Sequence, residues 1–139
     1  MTSDIKTNAP LQTSLAPWLS VRNGAKAVAF YKAAFGATET YRMEDPGGGL
    51  VVRLSVNGAE FWVSGEAAED GADKAAPENI GGDSLRMILT VADPDAAFAR
   101  ALAAGATEVF PVGEEYGWRL GRLSDPFGLH WEIGRPLAQ

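Results

Sequence analysis

The stretch "LSVRNGAKAVAFYKAAFGATE" (Leu19–Glu39) has a near-copy later in the chain, "LTVADPDAAFARALAAGATE" (Leu89–Glu108). Each begins as a short apolar strand, passes a helix-capping residue into a helical run, and ends in the same four letters, "GATE". A repeat of this kind sets the architecture before any single element is assigned. Asn23 and Asp93 carry side-chain oxygens that accept from the open N–H groups of a helix start, and Pro94 sits where a missing N–H costs nothing. Val28, Tyr31 and Phe35 recur at helical spacing, as do Phe98, Ala101 and Leu102. Gly36 and Gly105 then end the two helices in the way C-terminal glycines do.

Outward from each helix, alternating stretches predict strands over 38–44, 50–56 and 59–64 in the first half, and 107–112, 117–123 and 129–133 in the second. "DPGGG" (Asp45–Gly49), "NG" (Asn57, Gly58) and "DPFG" (Asp125–Gly128) punctuate them as turns, the last with Asp, Pro and Gly at the type I positions. The order is βαβββ, twice. This predicts an α+β fold of two tandem βαβββ modules, forming a curved mixed sheet around a cavity with the helices outside. The expected organisation is a flexible arm over 1–14 and a single domain over 15–135. Module 1 spans 15–65, module 2 spans 84–135, and the Gly-, Ala- and acid-rich 66–83 between them reads as a surface linker or a lid.

A chain of 139 residues suffices for one domain with a sizeable core. It has no cysteine, which excludes disulfides, thiolate metal sites and a cysteine nucleophile, and fits a cytoplasmic location. The net charge is −6 with no basic cluster, so nucleic acid is not an expected partner, because phosphate neutralisation needs clustered Lys and Arg. No apolar run is long enough to cross a bilayer and the start lacks the layout of a signal peptide, so no membrane partner is expected. An acidic surface of this kind would favour a cationic ligand.

Strand alternation sorts side chains by face. Leu129, Trp131 and Ile133 form a helix-side row, which turns His130 and Glu132 the other way. The same reading sets Leu15, Pro17, Leu19 and Val21 against Ala16, Trp18 and Ser20; Val52, Leu54 and Val56 against Val51, Arg53 and Ser55; Ala59, Phe61 and Val63 against Glu60, Trp62 and Ser64; and Leu85, Met87, Leu89 and Val91 against Arg86, Ile88 and Thr90. A face carrying two tryptophans among small hydroxyls and single charges suits a ligand cavity or a dimer interface better than open water.

With these modules in place, the chain resembles the vicinal oxygen chelate superfamily, which includes glyoxalase I, bleomycin-resistance proteins and extradiol dioxygenases. The residues that carry the resemblance are "AFYKAAFGA", "DPDAAFARALAAGA" and the closing "DPFGLHWEI", and the first is most similar to the PhnB-like branch. In metal-dependent members the resemblance implies one ligand on each of the first, fourth, fifth and eighth strands. By position these are Ala16, Trp62, Arg86 and Glu132. Only Glu132 among them can bind a metal, and even with His130 it falls short of the three or four ligands required. No cofactor is therefore expected; a divalent metal would need ligands beyond this set. Arg86 is instead expected to stand where a metal ligand would, pairing with Glu132.

Three functions follow as expectations. The first is a metal-free small-molecule binding protein like the bleomycin-resistance members, with Trp18, Ser20, Arg53, Trp62, Ser64, Arg86, Ile88 and Thr90 lining the cavity and the tryptophans stacking on a flat or cationic ligand. The second is a lyase, isomerase or dioxygenase-type enzyme acting on a small carbonyl or enolisable substrate, with Glu132 or His130 as catalytic base and Arg86 holding an oxyanion. The third is a dimeric scaffold with a vestigial pocket. A homodimer is expected in any of them, since family members commonly pair, sometimes exchanging modules so that each cavity draws strands from both chains.

Overall fold

The computed structural model describes residues 13–67 and 85–137. The expected arm falls outside these residues except at 13 and 14, and the expected linker or lid outside them except at 66 and 67. In chain order the elements are β1 (Trp18–Ser20), α1 (Gly24–Phe35), β2 (Thr38–Glu44), β3 (Gly49–Val56), β4 (Ala59–Glu66), β5 (Arg86–Thr90), α2 (Pro94–Ala104), β6 (Thr107–Glu115), β7 (Trp118–Ser124) and β8 (His130–Pro136). The twofold βαβββ order stands as the repeat implied.

The helix ends form for local reasons. The Asn23 side chain accepts from Lys26 N and that of Asp93 from Ala96 N, each satisfying an otherwise open donor. Gly36 closes α1 at a φ of 70°, which a Cβ would oppose. Between strands, Asn57 and Gly58 both take positive φ, the pairing a two-residue hairpin turn needs. Tyr116 and Gly117 do the same between β6 and β7, where the sequence carries no "NG" signature.

The eight strands divide into two four-stranded mixed sheets, β1-β4-β3-β2 and β5-β8-β7-β6. In each, the first strand runs parallel to the last strand of its module, and the remaining pairs are antiparallel. Each module also carries a register shift at the same place on its second strand, between Glu39 and Tyr41 and between Glu108 and Phe110. Tyr41 then faces Arg53, and Phe110 faces Arg122.

One core joins the modules. Tyr31, fully buried on α1, lies 5.2 Å from the Phe61 ring and 5.6 Å from Trp131, and Phe61 lies 5.7 Å from Trp131. α1 and α2 touch, and Arg100 Nε donates to the Ala33 carbonyl at 2.9 Å. The helix-side rows therefore converge on shared ground: Leu19, Val52, Leu54, Phe61, Val63, Trp131 and Ile133 are all buried. Three residues assigned to those rows do not join them. Leu15 is 99% exposed and Leu85 43% exposed, because β1 starts at Trp18 and β5 at Arg86, and alternation holds only where a strand is paired; Ala59 is exposed at the hairpin end of β4.

Candidate functional site

The helix sides of both sheets turn into one core. The contacts that the sequence-derived site residues make fall in two groups, one on each sheet.

On module 2, β8 lies between β5 and β7. Its register sets Ile88 and Arg122 on either side of Glu132, and Thr90 and Leu120 on either side of Gly134. Arg86 Nε lies 3.2 Å from Glu132 Oε2, the pairing expected from sequence, though as one contact and not a two-bond fork. Arg122 Nη2 reaches the same oxygen at 3.3 Å. Sequence reading missed this second arginine, although the buried Leu123 beside it gives the parity of β7. Arg122 is also held against Phe110, its Cζ lying 5.6 Å from the ring centre. Among the described residues, Arg122 Nε is buried without a hydrogen-bond partner.

Beside this Arg–Glu–Arg group lies a hollow of about 220 Å³, lined by Ile88, Trp118, Leu120, Glu132 and Gly134. At Gly134 the neighbouring strand comes in close: a Cβ there would come within 2.6 Å of both Leu120 Cβ and the Arg119 carbonyl. Trp118 and Leu120 were also absent from the sequence-derived set. His130 stands in register with Arg86 and Ser124. Its imidazole makes no hydrogen bond or ion pair among the described residues.

On module 1, Trp18 and Trp62 stack at 5.8 Å, and Trp18 Nε1 donates to Ser64 Oγ at 2.9 Å, with Ser20 Oγ 3.5 Å further on. Arg53 sits 5.3 Å above the Trp62 ring, and its Nε donates to Thr40 Oγ1 at 2.8 Å. A cation from the chain itself thus occupies the Trp62 ring face that the sequence reading reserved for a ligand. Tyr41 closes the group edge-on to Trp62 at 5.6 Å.

The turn that delivers β8 is fixed by a buried carboxylate. Asp125 accepts from Tyr31 Oη at 2.6 Å, Trp131 Nε1 at 2.8 Å, Phe127 N at 2.9 Å and Leu129 N at 3.0 Å. Burial pushes its carboxyl above the ordinary aspartate range, against the pull of these four donors. It ties α1 of one module to β8 of the other and so sets where His130 and Glu132 begin.

A divalent metal does not fit these residues. At the four positions where the resemblance implied metal ligands, only Glu132 offers a donor, and two guanidiniums already crowd one of its oxygens. Among the described residues no three His, Asp or Glu side chains gather as a ligand set.

The fold and its repeat agree with what comparison shows. The family model "Glyoxalase/Bleomycin resistance protein/Dioxygenase superfamily" matches residues 13–133, and the chain belongs to that superfamily. An uncharacterised protein of Mycobacterium bovis is 37% identical over 132 residues, covering 93% of this chain and 87% of its own. The crystal structure of TioX from Micromonospora sp. ML1 superposes with a TM-score of 0.66 at 27% identity, covering 90% of this chain and all of that one. The fosfomycin resistance protein FosX of Listeria monocytogenes shares the fold with a TM-score of 0.67 at 15% identity, over 91% of this chain and 95% of its own. No helix among the described residues is long and apolar enough to cross a membrane.

Proposed function

We propose that the chain is a small-molecule binding protein of the glyoxalase/bleomycin-resistance kind, of the PhnB-like branch and cytoplasmic, whose pocket on module 2 is organised by arginine in place of a metal. The observation that carries this reading is the engagement of Glu132, at the family's metal-ligand position, by Arg86 and Arg122 beside an apolar hollow. Two cations around a carboxylate do what a bound ion does elsewhere: they keep a negative charge tolerable in a partly dry site.

The hollow is smaller than the roughly 300–1,000 Å³ of most ligand pockets, so a further wall is needed. A second copy of the chain supplies it. Module 1 offers the surface for it: Trp18 is 53% exposed on β1, and Tyr41 and Met43 are exposed on β2 at the other edge of the same sheet, with Trp62 reaching both Trp18 and Tyr41. Contiguous apolar area of that kind is characteristic of an interface.

A thermal-shift screen of small organic compounds tests the pocket, with Leu120→Trp as a variant whose hollow is filled. Compounds that raise the melting point of the native chain are expected to lose that effect in the variant. Hits that act equally on both would remove the hollow from consideration.

A second reading has one observation in its favour. Both arginines contact Oε2, leaving Glu132 Oε1 without a partner among the described residues. That oxygen is positioned to take a proton from an enolisable substrate held in the hollow. Turnover abolished by Glu132→Gln, with binding retained, would make the pocket an active site.

A further inference from the structure

We propose that the module 2 hollow recognises a compact organic oxyanion, a carboxylate or phosphonate carrying a small apolar group, with Arg86 and Arg122 as the recognition pair. This rests on the pocket reading above and gives it a ligand class. Three features lead to it.

The first is charge. Two guanidiniums face one carboxylate, so the group carries one surplus positive charge on a chain whose net charge is −6. An attraction for anions at this place is therefore local and does not follow from the general field of the protein. The second is unspent hydrogen bonding. Both contacts fall on the same oxygen at 3.2 and 3.3 Å, longer than the about 2.7–2.9 Å of strong charge-assisted bonds. Arg122 Nε is buried with nothing to accept from it among the described residues, a condition folded proteins rarely leave. A small turn of the guanidinium would present Nε and a terminal nitrogen together to a two-oxygen anion, the geometry that suits arginine and not lysine.

The third is the wall. Ile88, Trp118 and Leu120 offer an apolar surface beside these donors, and Phe110 braces Arg122 from its other side. Such a site would hold an anionic head on the arginines and a small apolar body against the wall. Glu132 then tempers the affinity: as the built-in anion it competes with the ligand for both arginines.

That competition gives the test its sign. Phenylphosphonate, benzoate, benzamide and benzylamine are titrated calorimetrically into the full chain and into variants whose melting points confirm folding. The two anions are expected to bind at least about tenfold more tightly than the neutral and cationic compounds. Arg122→Gln and Arg86→Gln are each expected to weaken the anions by about tenfold or more, leaving benzamide unchanged. Arg122→Lys, which keeps the charge and loses the fork, should fall between. Glu132→Gln is expected to tighten both anions. Weaker anion binding in Glu132→Gln would overturn the assignment. So would equal or better binding of benzamide or benzylamine at a site that Leu120→Trp blocks, although the pocket itself would then survive. No binding by any of the four compounds would overturn the anion class and the pocket together.

Discussion

Asp125 shows how much one residue decides here. Its two oxygens take four donors from a helix, a tryptophan and two turn amides. An asparagine in its place would point an amide N–H at donors on one side or the other. Asp125→Asn is expected to lower stability by roughly 2–3 kcal/mol, measured from urea unfolding. The pH dependence has a definite sign. Because burial raises the folded carboxyl above its unfolded value, the protonated form favours the fold. That contribution is complete below about pH 4 and is lost as pH rises through the raised folded value. The stability difference between the native chain and the Asp125→Asn variant should therefore narrow as pH rises from acid toward neutral. A difference that widens would contradict the account of burial. The sequence displayed "DPFG" as a turn and nothing more, since a turn signature says nothing about what will surround its first side chain. Glu132 and Arg86 were legible because strict alternation in β5 and β8 fixed their face. Arg122 was not, because Leu123 alone marks the helix-side row of β7: Gly121, the residue before it in that row, has no side chain to repeat the signal.

At the scale of elements, caps and close approaches carry the fold. Asp93→Ala removes the acceptor for Ala96 N and should cost about 0.5–2 kcal/mol. Gly65 sits where the end of β4 meets the start of α1: a Cβ there would lie 2.5 Å from Gly24 N and 2.6 Å from the Val21 carbonyl. Both neighbours are backbone and cannot swing aside, so Gly65→Ala is expected to destabilise by roughly 1–3 kcal/mol. The two sites are in different modules, and thermal unfolding of the double variant should show the sum. Helix limits were readable from Asn23, Gly36, Asp93 and Gly105 because each has a local cause. The paired limits of β1 and β5 were not. Leu15 and Leu85 continue the apolar pattern, but a strand ends where its partner does, and the partner lies far away in sequence.

For the whole molecule, the repeat announced two modules but not how they meet. Both helix-side faces enter one core through Tyr31, Phe61 and Trp131. If a second copy closes the pocket, sedimentation should give a dimer, and Trp18→Glu with Met43→Glu should yield a folded monomer with weakened ligand binding. A native monomer with full affinity would confine the site to module 2. The central claim is that arginine has replaced metal around Glu132. Its most direct test is calorimetric titration of the full chain with manganese, nickel and zinc, followed in Glu132→Ala. The expected result is no stoichiometric binding that depends on Glu132. One equivalent bound tightly by the native chain and lost in Glu132→Ala would contradict it.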